Sequence, residues 1–220
     1  MIARDLINPI IPALDVSDDI ARASSLMDDL HLSVLPVLEN EHFQGFIQED
    51  VLYDDIFDKP TVGEYPLQSI KCVVNQDQHF YEILRLTDEC QHLMIAVIDK
   101  EKYLGVITAK DLVMALSKTT AVQSPGSILE LSIKKIDYSL AEITRLIEGE
   151  NARIMGCFLT NDEMDSQRVY VTLKLDKKDV SHIAATLKRF DYKLARIIQE
   201  ESLISYEKER LDALMKYLSI

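Results

Sequence analysis

Thr108 and Asp111 stand three residues apart in "GVITAKDL" (residues 105–112), between an apolar strand-like run and an apolar helix-like run. Two chemistries use that spacing. One is a capping box, in which hydroxyl and carboxylate each satisfy a backbone N–H where a helix begins. The other is a pair of oxygen ligands aimed at something bound beside the helix start. An ionised Asp accepts hydrogen bonds from a sugar's hydroxyls, and a Thr hydroxyl both donates and accepts. First-turn N–H groups attract an anion such as phosphate, and Lys110 puts a positive charge in the same turn. The two uses are compatible, and the residues alone leave both open.

Other reactive side chains are scattered. The chain has no GxSxG, no P-loop and no GxGxxG. His31, His42, His79, His92 and His182 form neither HxxxH nor HExxH and read as structural or surface residues. Cys72, Cys90 and Cys157 make no CxxC or zinc pattern, so they are expected as three small buried hydrophobes in a reducing compartment. The acidic turn Asp162, Glu163, Asp165 lacks the Gly and terminal Glu of an EF-hand and reads as a solvated hairpin. The expectation is therefore a protein with no catalytic residues and no metal ligands, not an enzyme.

Asp and Glu number 37 against 24 Lys and Arg, a net charge of -13. Such a surface repels nucleic acid and anionic membranes, and no run of Lys or Arg exceeds two. Apolar runs are too short to span a bilayer, and "MIARDLINPI" carries no signal-peptide pattern, so a cytoplasmic location is expected.

The elements that must position Thr108 and Asp111 come from an internal repeat. An offset of 60 places Gly45-Phe46-Ile47 on Gly105-Val106-Ile107, and Pro36-Val37-Leu38 on Ala96-Val97-Ile98. It also sets Ile20, Ala23, Leu26 and Leu30 over Phe80, Ile83, Leu86 and Cys90. Each set steps by three or four, one face of an amphipathic helix. Both copies read as short strand, helix, strand, turn, strand ending in Gly-x-Ile, helix. Strands are expected from Ala13–Val16 and Lys71–Val74. A unit of about 60 residues buries too little surface alone, so the copies should share a core by packing sheet against sheet.

"SVLPVLENEHFQGFI" and "MIAVIDKEKYLGVITAKDL" resemble the two halves of a CBS-domain pair, and "IARDLI" resembles the lead-in before the first strand. The resemblance covers about half the chain. It implies that Gly105, Val106, Ile107, Thr108, Lys110 and Asp111 hold the ribose of an adenine nucleotide or related ligand: AMP, ADP, ATP or S-adenosylmethionine. Copy 1 departs from the pattern, with Gln48 in place of Thr108 and Val51 in place of Asp111. Asp50 is one residue early, about 100° around a helix. Copy 2 is thus expected to be the competent site. With few cations near the motif, a monophosphate or nucleoside is accommodated more easily than a triphosphate.

"SKTTAVQSPGS" (117–127) is linker-like. Beyond it, strand, helix, two strands, helix and strand follow over residues 128–198, the ferredoxin-like βαββαβ order. That order resembles an ACT domain, and a CBS pair followed by one resembles the acetoin-utilisation type of CBS protein. ACT domains commonly carry a Gly after the first strand, which "KKIDYSLAEI" lacks. "SLISYEKERLDALMKYL" (202–218) reads as a closing helix.

The expected fold class is mixed α/β and α+β. Its parts are CBS repeats at 1–60 and 61–118, a linker at 119–127, an ACT-like domain at 128–199, and a helix at 200–220. The expected function is non-enzymatic regulation through a homodimer, with neither nucleic acid nor membrane as partner. The alternatives are a ligand-free oligomeric scaffold, or amino-acid sensing by the ACT-like half.

Overall fold

The computed structural model describes residues 1–52, 60–68, 70–90 and 94–199. The closing helix expected at 200–220 lies outside them. The chain divides into two compact units, Met1–Ser117 and Lys118–Ile220.

In the first unit the repeat is visible residue by residue. Strands β1 (Leu14–Asp15), β2 (Val34–Glu39) and β3 (His42–Gln48) surround helix α1 (Ile20–Leu30), and α2 (Glu49–Leu52) follows. Strands β4 (Val73–Asn75), β5 (Met94–Asp99) and β6 (Lys102–Thr108) repeat them around α3 (Phe80–Thr87), and α4 (Ala109–Ser117) follows. Cross-strand partners keep the offset of 60. Val34 faces Gln48 as Met94 faces Thr108, and Leu14 pairs with Val37 as Val74 pairs with Val97. The turns match too, with Asn40 and Lys100 both at positive φ. Asp19 caps α1 by accepting from Ala21 N at 2.7 Å, and at the same offset His79 caps α3 by accepting from Tyr81 N at 3.3 Å.

The halves meet differently from the face-to-face packing expected of them. They join as one six-stranded sheet in the order β1-β2-β3-β6-β5-β4, through β3 and β6 at the pair His42 and Lys102. The ring of Phe43 stacks on that of its repeat counterpart Tyr103, with centroids 6.3 Å apart. The cores interpenetrate: Ala3, Val34 and Phe46 of the first half are buried with Val74, Ile83, Ile95 and Ile107 of the second.

Each half also carries the other's lead-in. Ala3 packs into the core of the second half, whereas Val62 and Tyr65 pack into the first. Asn8 N donates to Val106 O at 2.8 Å. Sixty residues on, Gln68 N donates to Phe46 O at 2.8 Å and Phe46 N donates back to Gln68 O at 2.9 Å. Glycine permits this close approach. Gly105 has φ +155°, and a Cβ there would collide with Cγ2 of Ile7. Gly45 has φ +148°, and a Cβ would lie 2.9 Å from Cβ of Leu67.

The cysteine expectation is corrected. Cys72 and Cys90 are both buried, but they are joined in a disulfide, with Cα atoms 5.9 Å apart. Eighteen residues separate them in sequence, and the fold returns the chain from α3 to the beginning of β4. Cys157 alone is a free thiol, and partial burial pushes its pKa up.

The second unit contains α5 (Thr120–Gln123), β7 (Ile128–Lys134), α6 (Leu140–Gly149), β8 (Ile154–Asn161), β9 (Arg168–Leu175), α7 (Ser181–Arg189) and β10 (Lys193–Ile198). Its sheet is antiparallel in the order β10-β7-β9-β8, the split βαββαβ arrangement. Alternation along β7 and β9 sends Leu129, Leu131, Val171 and Leu173 into one core with Ile143 and Ile147 of α6 and Leu187 of α7. The stretch 119–127, expected as a linker, is largely built into this unit. Helix α5 packs on β8, Ser127 is fully buried, and its N–H donates to Lys177 O at 2.8 Å.

Candidate functional site

Strand β6 carries Gly105, Val106 and Ile107 into the interior, where Val106 and Ile107 are fully buried. These two side chains belong to the core and place the site without facing it. Thr108 closes the strand, and α4 begins at Ala109. The Thr108 hydroxyl donates to Asp111 Oδ2 at 2.6 Å and accepts from Asp111 N at 3.2 Å. Thr108 N donates to the same Oδ2 at 2.9 Å. This is a closed reciprocal cap, so the local use of the motif is realised.

A third residue, unforeseen in the sequence, completes the arrangement. Asn8, 103 positions away, donates from Nδ2 to Asp111 Oδ1 at 3.1 Å and to Oδ2 at 3.2 Å. Its own Oδ1 accepts from Ile10 N at 3.0 Å, which fixes which end of the amide points at the carboxylate. Thr108, Asp111 and Asn8 are each half-buried. Lys110 is exposed and makes no hydrogen bond or ion pair among the described residues, so it is not drawn into the cluster.

The first half shows what the motif becomes without its acid. Gln48 is buried at 7% exposure, and its Nε2 donates to Gln68 Oε1 at 2.9 Å. Gln68, the counterpart of Asn8, thus contacts the counterpart of Thr108, whereas Val51 stands where Asp111 stands in the second half. Asp50 is exposed and accepts from Val51 N at 2.9 Å, as the one-residue shift around the helix implied. Clefts of about 250 and 300 Å³ lie here, lined by Asp28, Glu49 and Asp50, a setting that repels phosphate. The signal that could have exposed Asn8 was the same offset of 60, extended backwards to pair Ile7-Asn8 with Leu67-Gln68.

The second unit has a cleft of about 380 Å³ lined by charges of both signs, among them Lys134, Asp137, Glu142, Arg168 and Lys193. Several of its polar groups are already engaged. Arg168 donates to Ser132 Oγ at 3.0 Å and Ser132 O at 3.1 Å, and Tyr192 donates to Glu142 Oε2 at 3.2 Å. In the acidic turn, Asp162 accepts from Met164 N and Asp165 accepts from Gln167 N, both at 2.9 Å.

Residues 62–118 match the family model for the CBS domain, a span that contains both Thr108 and Asp111. Solved structures similar to the chain include a CBS domain pair/ACT domain protein from Thermotoga maritima. It is 19% identical, with a TM-score of 0.48, over 53% of this chain and 96% of that one. CBSX2 in complex with AMP is 19% identical, with a TM-score of 0.46, over 52% of this chain and 95% of that one. The CBS domain of a bacterial CNNM/CorC family Mg2+ transporter in complex with ATP is 17% identical, with a TM-score of 0.43, over 51% and 84%. Within the segment that matches the CBS domain, the sugar-clamp candidate and the helix cap are the same atoms. Among the described residues no helix is long and apolar enough to cross a membrane.

Proposed function

We propose that this protein is a non-enzymatic regulator that binds an adenine nucleotide or adenosine derivative at the second half of the repeat and acts as a homodimer. The observation that carries the reading is the Asp111 carboxylate, held in one orientation by Thr108 and Asn8 inside the segment that matches the CBS family. A carboxylate fixed in advance loses little freedom when it accepts a sugar hydroxyl, so more of the bond's strength is available for binding. Exposed Lys110 is the one cation of the motif, which favours AMP or adenosine over a triphosphate.

Titration calorimetry of the full chain with AMP, ADP, ATP and S-adenosylmethionine tests this. Micromolar binding that weakens about tenfold or more in Asp111→Ala supports it. Absence of binding by all four ligands sinks it in favour of a ligand-free scaffold. The same variant loses a helix cap, costing about 1 kcal/mol of stability, so its melting curve is recorded alongside.

A second reading is favoured by the cleft of the second unit. Its charges of both signs suit a zwitterion such as an amino acid, in line with the ACT resemblance. An amino-acid panel that raises the melting temperature of the full chain, but not of Arg168→Ala, would promote it.

A further inference from the structure

The hydrogen bonds around Asp111 determine how much of a sugar it can hold. A carboxylate offers about four lone-pair positions, two on each oxygen. Oδ2 receives Thr108 N at 2.9 Å, Thr108 Oγ1 at 2.6 Å and the longer contact from Asn8 Nδ2 at 3.2 Å. That oxygen is saturated. Oδ1 receives Asn8 Nδ2 at 3.1 Å, which leaves it one position. A ribose presents two neighbouring hydroxyls. With Asn8 in place, Asp111 has capacity for one of them.

We propose that Asn8 is a positioning residue that restricts Asp111 to a single sugar hydroxyl, so that the site distinguishes the 2′ from the 3′ position. This rests on the nucleotide reading above. The Asn8 amide is not free to swing aside. Its backbone N–H is bonded to Val106 O at 2.8 Å, and its side-chain oxygen is held by Ile10 N at 3.0 Å. The preceding Ile7 sits over Gly105 in the space that glycine leaves open. Residues 7–10 therefore form a strap beside the start of α4, anchored by Asn8 N on Val106 and closed on itself where Ile10 N holds the amide oxygen. The matching strap of the first half presents Gln68 to Gln48, the counterpart of Thr108. The strap is thus common to both halves, whereas among the described residues only the second half sets its amide against a carboxylate.

The test is calorimetry on the full chain with AMP, 2′-deoxy-AMP and 3′-deoxy-AMP, for the wild type, Asn8→Ala, Asn8→Leu and Asp111→Ala. In the wild type, one deoxy analogue should bind about tenfold or more weakly than AMP, and the other within about twofold of it. In both Asn8 variants the second position is released, so each deoxy analogue should fall about tenfold below AMP. A merely structural role for Asn8 would lower all three affinities together without changing their ratio.

The proposal is overturned if the wild type penalises both analogues equally, penalises neither, or if the Asn8 variants keep the wild-type ratio. The wild-type ratios decide the matter even if a variant does not fold. Failure of the nucleotide reading has a separate signature. The wild type would then bind none of the three, or Asp111→Ala would bind AMP as tightly as the wild type does.

Discussion

Replacing Gly105 with alanine tests the crossing of the lead-ins, on which the Asn8 contact depends. The perturbation has two parts. The backbone at φ +155° is one that L-residues rarely adopt, and holding alanine there costs about 1–3 kcal/mol. The added Cβ also drives into Cγ2 of Ile7, and overpacking of this kind costs about 1–3 kcal/mol. Gly105→Ala should therefore destabilise the first unit by about 2–6 kcal/mol.

The second part can be relieved selectively. Ile7→Ala removes the colliding Cγ2, so the double variant should be more stable than the sum of the single changes by about 1–3 kcal/mol. Gly45 supplies the control. Its added Cβ would meet Cβ of Leu67 at 2.9 Å and Gln68 O at 3.1 Å, atoms that Leu67→Ala leaves in place. Gly45→Ala with Leu67→Ala should be additive within about 0.5 kcal/mol.

The assay is urea unfolding of the four single and two double variants. Hydrogen exchange on residues 1–10 would report lead-in docking directly. Additivity at Gly105 and Ile7 would refute the crossing, because residues that do not touch do not couple. Coupling at both glycines alike would refute the atomic detail but not the crossing.

Thiol titration in denaturant should find one reactive thiol without reductant and three after reduction, and three from the start would remove the Cys72–Cys90 bond. For an 18-residue separation, reduction should lower stability by about 3 kcal/mol, read as a fall in melting temperature of the full chain. Tyr103→Phe should be neutral or stabilising by about 1 kcal/mol in urea unfolding, since its buried hydroxyl has no hydrogen-bond partner among the described residues. A clear loss of stability would mean that a water or another group satisfies that hydroxyl. Burial raises the Cys157 thiol pKa, so the folded state favours the protonated form, and any stability from this is lost as pH rises past the ordinary thiol range. Native Cys157 should accordingly be alkylated several times more slowly at pH 8 than in urea, and equal rates would place the thiol in water.

What could be read from the residues alone was whatever depends on near neighbours or on a fixed period. The capping box needs only positions 108 and 111, one helical turn apart, and it forms as the spacing implies. The three- and four-residue steps of Leu140, Ile143 and Ile147 mark the helix that ends at Gly149, although it buries Ile143, Leu146 and Ile147 and leaves Leu140 exposed. Strand ends were less legible. The alternation that begins at Ile128 continues in sequence to Ile136, but the strand stops at Lys134, where a 3-10 turn over Lys135–Asp137 takes over. The linker-like composition of 119–127 misled because Ser and Gly also serve close packing, and here Ser127 is fully buried.

The amino-acid sequence by itself determined the duplication, its period, and the fact that only the second copy carries Thr and Asp at the first and fourth positions after Gly-x-Ile. Those are properties of order along a chain, and a 60-residue offset preserves them whatever the halves do in space. Tertiary structure alone decided that the lead-ins cross over, that Cys72 meets Cys90, and that Asn8 reaches Asp111. Each joins positions far apart in the chain, up to 103 residues, and no local propensity encodes such a meeting. It follows from the shared core, which cannot close until the lead-in of one half lies against the strand of the other.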